Sequence, residues 1–262
     1  MMETKWRNER LELYGKLERS AEKGLDHDAV LAELFDFDEA GHAVPKEFAF
    51  QHEDDAVTVV CEAESDLMQA SQMKDVYVSD QDIMHVTLFY TSHPDDLAPR
   101  RAKELKNERI TREISLLREL ATHFEPIRMV PVKVVLASSG AILMLFQCIQ
   151  RDDKDNAQKV SNTGRRAEFG IDLLRQAAQE TFPFVSKKSP NTIVYTTLAR
   201  VMSPDAFDEA ALTRVREACQ RISQELAKAG DGNAFVVDKL WYVDESHFIR
   251  PTGHTTTISL GK

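Results

Sequence analysis

The chain has 262 residues, 42% of them hydrophobic, enough to bury an ordinary core as one large domain or two small ones. With 43 acidic against 33 basic side chains, its formal charge is −10. That balance excludes coating of nucleic acid by bulk charge, which needs many Lys and Arg neutralising phosphates, but leaves room for a local basic pocket.

Cys61, Cys148 and Cys219 are odd in number, far apart and without CxxC spacing. They indicate neither a disulfide framework nor a zinc site, and read as small buried or half-buried thiols in a reducing compartment. No apolar run approaches the roughly 20 residues that span a bilayer. The N-terminus, MMETKWRNERLELYGKLERSAEKG, is charged throughout and lacks the apolar stretch of a secretory signal. The expected setting is the cytosol or nucleus, without a membrane.

In chain order, residues 1–50 read as an accessory helical extension and 51–262 as the main domain. Trp6, Leu11, Leu13, Tyr14 and Leu17 recur at roughly helical spacing, and DHDAVLAELFDF predicts a second helix reaching Phe35. GHAVPKEFAFQHEDD has no period and reads as a linker. AVTVVCEA (56–63) and IMHVTLFYTS (83–92) predict strands. A helix follows, with Leu105, Ile110, Ile114, Leu117, Leu120 and Ala121 on one side. IRMVPVKVVLASSGAILMLFQCI is two strands about an SSG turn.

NTGRRAEFGIDLLRQAAQETF is helical through Ala167, Ile171, Leu174 and Ala178, and NTIVYTTLARVM is a strand. PDAFDEAALTRVREACQRISQELAKAGDGN is a helix with an acidic first turn and Gly230 as its stop. AFVVDKLWYVDES and HFIRPTGHTTTISL close the chain as strand-like runs about a PTGH turn. Helices alternating with paired strands indicate an α+β or mixed α/β sandwich. No GxGxxG follows the first strand, and Walker A, HExxH, GxSxG and EF-hand patterns are absent.

Within IMHVTLFYTS, His85 and Thr87 lie two apart and so project from one face of a strand, with Val86 and Leu88 on the other. YTTLAR (195–200) repeats the layout. Thr197 takes the place of Thr87, Leu198 that of Leu88, and Tyr195 that of His85. Each strand runs into a proline, Pro94 or Pro204, and then a helix.

These two strands, with VKVVLASSGAILMLF as a central hairpin and FVVDKLWYVDES before the last one, resemble the two-histidine (2H) phosphoesterase superfamily. That superfamily includes LigT-like RNA 2′,3′-cyclic phosphodiesterases and plant cyclic phosphodiesterases. The resemblance runs from about Ala56 to the C-terminus, with all four elements in the family's order. It implies a bilobal α+β fold in which two antiparallel sheets flank a cleft, with helices outside. H-x-T pairs would face each other across it, with neither cofactor nor metal required. One histidine would take a proton from the attacking water, the other would protonate the leaving ribose oxygen, and the threonines would hold the phosphate. Imidazole titrates near neutral pH, and hydroxyls donate to phosphate oxygens where charge develops.

Tyr195 departs from the family pattern. A phenol of pKa about 10 is a poor general base at pH 7, which leaves His85 as base and Tyr195 as hydrogen-bond donor or weak acid. His254, which with Thr256 forms a further H-x-T, is a secondary candidate, and Arg200 and Arg250 are candidate anion contacts. His247, His93 and His123 read as surface or turn residues. RRAKELKNER and RRAEF read as solvated helix faces, and HEDD at 52–55 lacks a spaced partner set.

The expected function is therefore a metal-independent phosphodiesterase acting on cyclic nucleotides or RNA ends bearing a 2′,3′-cyclic phosphate, through His85, Thr87, Tyr195 and Thr197, with His254 and Arg200 contacting substrate. Two rivals stand beside it. One is a catalytically inactive nucleotide or RNA-end binder. The other is an interaction protein that docks a partner through its N-terminal helices.

Overall fold

The structure, a computed structural model, describes residues 2–22, 28–49, 56–63, 76–80, 84–93, 96, 105–149, 170–187, 189, 192–202, 208–247 and 250–261. In chain order these form α1 (Met2–Ala21), α2 (Asp28–Leu34), β1 (Phe35–Phe37), β2 (Ala43–Pro45), β3 (Val57–Ala63), β4 (Val76–Val78) and β5 (His85–Ser92). There follow α3 (Lys106–Thr122), β6 (Ile127–Leu136), β7 (Ala141–Cys148), α4 (Gly170–Thr181), β8 (Tyr195–Val201) and α5 (Glu209–Ala229). A 3-10 turn (Gly230–Asn233), β9 (Phe235–Val237), β10 (Lys239–His247) and β11 (Arg250–Ser259) complete them. Among the described residues no helix is long and apolar enough to cross a membrane.

The chain is α+β, as its sequence pattern predicts, and its strand pairs are antiparallel. A four-stranded sheet runs β11-β10-β3-β5 and a five-stranded sheet β4-β8-β7-β6-β9, with β1 and β2 paired separately. One apolar core joins the two large sheets. It gathers Val86, Leu88 and Phe89 of β5, Leu117 and Leu120 of α3, Phe146 of β7, Ile171 and Leu174 of α4, and Leu240 of β10. Close approach of α4 to β6 depends on Gly170, where an added Cβ would lie 2.8 Å from the Ile127 side chain.

The SSG hairpin forms as expected. Ala137 N–H donates to Ala141 O (2.8 Å), and Gly140 turns the chain at φ 77°. Helix α5 also ends at the glycine expected to stop it. The Asp208 carboxylate accepts from Ala211 N–H, and Gly230 follows the last turn at φ 50°.

Elsewhere the structure corrects the sequence reading. The second helix stops at Leu34, because Phe35–Phe37 pairs with Ala43–Pro45, a stretch expected to be linker. The turn between them is held by the Asp38 carboxylate, which accepts from the N–H groups of Ala40 (2.9 Å) and His42 (2.8 Å). Strand β4 was not anticipated at all. AFVVDKLWYVDES is two strands in different sheets, β9 against β6 and β10 against β3. The alternation breaks at Asp238 and Lys239, both exposed, where the chain crosses between sheets.

PTGH is no turn. It lies inside β11, with His254 opposite Asp244. On α3, Leu117, Leu120 and Ala121 are buried as expected, but Leu105 precedes the helix and is exposed, while Arg109, expected on a solvated face, is buried. The prolines at 94 and 204, the acidic run 52–55 and residues 162–169 lie outside the described residues.

Candidate functional site

Two strands from different sheets position the site. In β5, His85 pairs with Ala63 and Thr87 with Cys61, so both side chains share the face of Cys61 and Val59. Leu88 is then skipped in the register, since Phe89 pairs with Val60. This extra residue is a β-bulge. It lets Leu88 and Phe89 both enter the core, and it brings Tyr90, opposite Val59, back to the face of His85 and Thr87.

Strand β8 does the same thing at the same place. Tyr195 pairs with Leu145 and Thr197 with Leu143. Leu198 is skipped, and Ala199 and Arg200 pair with Ile142 and Ala141. Leu145, Leu143 and Ala141 belong to one cluster on one side of β7, so Tyr195, Thr197 and Arg200 share that side. Without the bulge, Arg200, three residues beyond Thr197, would project to the opposite face. The leucine after the threonine is thus the bulged residue in both strands. This structural repeat pairs Tyr195 with His85 independently of residue type.

Each bulge has its carbonyl engaged. Arg175 of α4 donates from Nε to Leu88 O and from Nη2 to Thr87 O, both at 2.9 Å. Ser79 N–H donates to Leu198 O at 2.9 Å. Arg175 thereby takes up the edge of β5 at Thr87-Leu88. Its neighbour Asp172 is bridged by Arg10 of α1, whose Nε also donates to Thr192 O (2.9 Å) just before β8.

His85, Thr87, Tyr195, Thr197 and Arg200 line one cavity of about 300 Å³. His254 is elsewhere. It is exposed on β11, the strand at the opposite edge of the sheet from β5, three strand spacings away, or roughly 14 Å. The proposed substrate contact through His254 is therefore not in this cavity. His123 caps the end of α3. His93, read from sequence as a surface or turn residue, does line the cavity, with its ring edge-on to Tyr90.

The electrostatics follow from burial. Burial pushes the Tyr195 phenol above its ordinary range, against the opposing pull of Arg175 and Arg200, so it stays neutral and available as a donor. Burial likewise lowers the Arg200 pKa, while Tyr195 opposes the change. Arg175, more enclosed than Arg200, is pulled down to about 10 by burial, with Asp172 opposing. Only 8% of Arg200 is exposed. Its Nη1 donates to Ser139 O (2.7 Å), and its buried Nε has no hydrogen-bond partner.

Sequence reasoning missed several walls of the cavity. Glu33, Leu34 and Phe48 come from the N-terminal segment, and Tyr77, Ser79 and Asp80 from β4 and its exit. VYVSD carries the alternation of a short strand, which was the available signal for β4. For Glu33 and Phe48 there was none, because their placement depends on packing across the chain. Among the described residues no group of three or more His, Cys, Asp or Glu side chains converges as metal ligands would.

Fold and cavity together define an α+β protein whose two antiparallel sheets each contribute a bulged, threonine-bearing strand to one polar cavity. No protein-family model matches the chain, and a search of curated proteins finds no significant relative.

Proposed function

We propose that the protein is a 2H phosphoesterase-like enzyme of the bilobal LigT type, acting on a 2′,3′-cyclic phosphodiester. The observation that carries this reading is the matched bulge. His85-x-Thr87 and Tyr195-x-Thr197, each followed by a bulged leucine, line one cavity together with the partly unpartnered Arg200. His85 acts as general base toward water, Thr87 and Thr197 donate to the non-bridging oxygens, and Arg200 offsets the phosphate charge. Tyr195 donates a hydrogen bond to the leaving ribose oxygen. Its raised pKa makes proton delivery costly, so turnover is slow compared with a two-histidine site.

That same burial of Tyr195 favours one alternative, a nucleotide binder that does not turn over. Incubation with 2′,3′-cyclic nucleotides in EDTA, alongside His85→Ala, separates the two. Turnover that resists EDTA and falls at least 100-fold in His85→Ala supports the enzyme. Saturable binding with no product supports the binder. Absence of both removes the phosphate reading.

A further inference from the structure

Strand β5 is an edge of the four-stranded sheet, so its outward backbone groups need partners from elsewhere in the fold. Two consecutive carbonyls, Thr87 O and Leu88 O, accept from the one Arg175 guanidinium, both at 2.9 Å. In a regular strand consecutive carbonyls point to opposite edges, so a single planar fork takes both only where the chain is bulged. Further along the same strand, Tyr90 N–H donates to Ser189 Oγ (2.9 Å) and Tyr90 O accepts from Ser186 N–H (2.8 Å). The bulge is thus clamped from Thr87 to Tyr90 by α4 and the segment that follows it. Loss of the bulge would turn either His85 and Thr87, or Tyr90, to the other face of the sheet.

Packing alone does not require a charge at this position. Ile171, Leu174, Ala177 and Ala178 already bury the apolar side of α4 in the core. Arg175 is itself only 6% exposed, and a guanidinium so enclosed carries a desolvation cost that an apolar side chain would avoid. Its charge also reaches the second strand, where it opposes the rise of the Tyr195 pKa more strongly than Arg200 does. Arg175 does not line the cavity, so it acts through the strand and not on the ligand.

We propose that Arg175 is a positioning residue, which by holding the β5 bulge keeps Thr87, and His85 with it, on the face that meets Tyr195 and Thr197 in the cavity. This role rests on the phosphate reading above and adds to it a residue that touches no substrate.

The test is a cycle of variants in the full chain carrying His85→Ala, in which turnover is suppressed and affinity for a 2′,3′-cyclic nucleotide can be titrated at equilibrium. Arg175→Lys keeps the charge near Tyr195 and removes the planar fork. It is expected to weaken binding about fivefold or more, approaching the loss of about tenfold expected for Thr87→Ala, which deletes a hydrogen bond to a charged group. With Thr87→Ala already present, Arg175→Lys should cost less than about twofold further, because the hydroxyl it positions is gone; with Thr197→Ala present, it should still cost about fivefold. Arg175→Met, which occupies similar space without a buried charge, carries the same cycle if the lysine variant loses its cooperative urea transition. A loss below about fivefold, or an equal loss in the Thr87→Ala and Thr197→Ala backgrounds, overturns the positioning role and leaves the phosphate site standing. An otherwise unaltered chain that neither binds nor turns over the cyclic nucleotide overturns the phosphate reading and the role of Arg175 with it.

Discussion

At the scale of single residues, chemistry in the cavity turns on Tyr195. Its position is set by backbone register, with Leu145 opposite and a bulge three residues on, so an imidazole placed there would occupy the slot equivalent to His85. Burial raises the phenol pKa, which leaves less phenolate to act as a base and makes the phenol a weaker proton donor to a leaving alkoxide. Tyr195→His is therefore expected to raise the turnover of 2′,3′-cyclic nucleotides by up to the 10²- to 10⁴-fold that one acid or base supplies. The gain should appear in kcat more than in KM, since the threonines and Arg200 that bind the phosphate are untouched. Steady-state kinetics of the two proteins check this, and unchanged kcat would mean that residue 195 takes no part in proton transfer. The H-x-T and Y-x-T spacing was legible because a strand repeats every two residues. Arg200 was legible only as a nearby cation. Its return to the threonine face required a bulge, and a bulge depends on the partner strand's register, which one sequence does not display.

At the scale of elements, α1 is tied to the strand that carries Tyr195. The Tyr14 hydroxyl donates to Phe146 O at 2.8 Å, lies 3.2 Å from Val194 O, and accepts from Val194 N–H at 3.3 Å. Its ring lies buried among Val135, Leu143 and Leu145, with Tyr195 packed against the same cluster. Tyr14→Phe keeps the ring and deletes the hydroxyl. It should cost about 1–3 kcal/mol, the penalty for buried polar groups left short of a partner, measured as a drop in denaturant midpoint at constant m-value. A loss below about 0.5 kcal/mol would show that the docking of α1 rests on its apolar contacts alone. Helical spacing announced α1, and charge and glycine announced α5, because both signals are local. The division between β9 and β10 was marked only by the break in alternation at Asp238 and Lys239. Val237 and Leu240, three residues apart, share the one core because the chain changes sheets between them.

At the scale of the whole molecule, the buried network beneath the four-stranded sheet links folding to pH. Glu113 of α3 accepts from the Tyr242 hydroxyl of β10 at 2.6 Å. Thr91 also hydrogen-bonds to it, with Arg109 and Arg112 nearby. Burial dominates these influences and raises the Glu113 pKa above its ordinary value of 4.5. The folded state thus holds this proton more tightly than the unfolded chain does, and stability must fall wherever the unfolded chain has released it and the fold has not. The contribution is complete below about pH 4.5, the ordinary glutamate range, and is lost as pH rises through the folded pKa. Glu113→Gln abolishes the titration while keeping a side-chain carbonyl to accept from Tyr242. The stability of this variant relative to wild type should therefore climb from about pH 4.5 upward, by at most about 1.4 kcal/mol per pH unit, and level off once the folded carboxyl has ionised. Urea melts of both proteins from pH 4 to pH 8 give the difference directly. Parallel curves would mean that Arg109 and Arg112 offset the burial and that the carboxylate is ionised at no net cost to the fold.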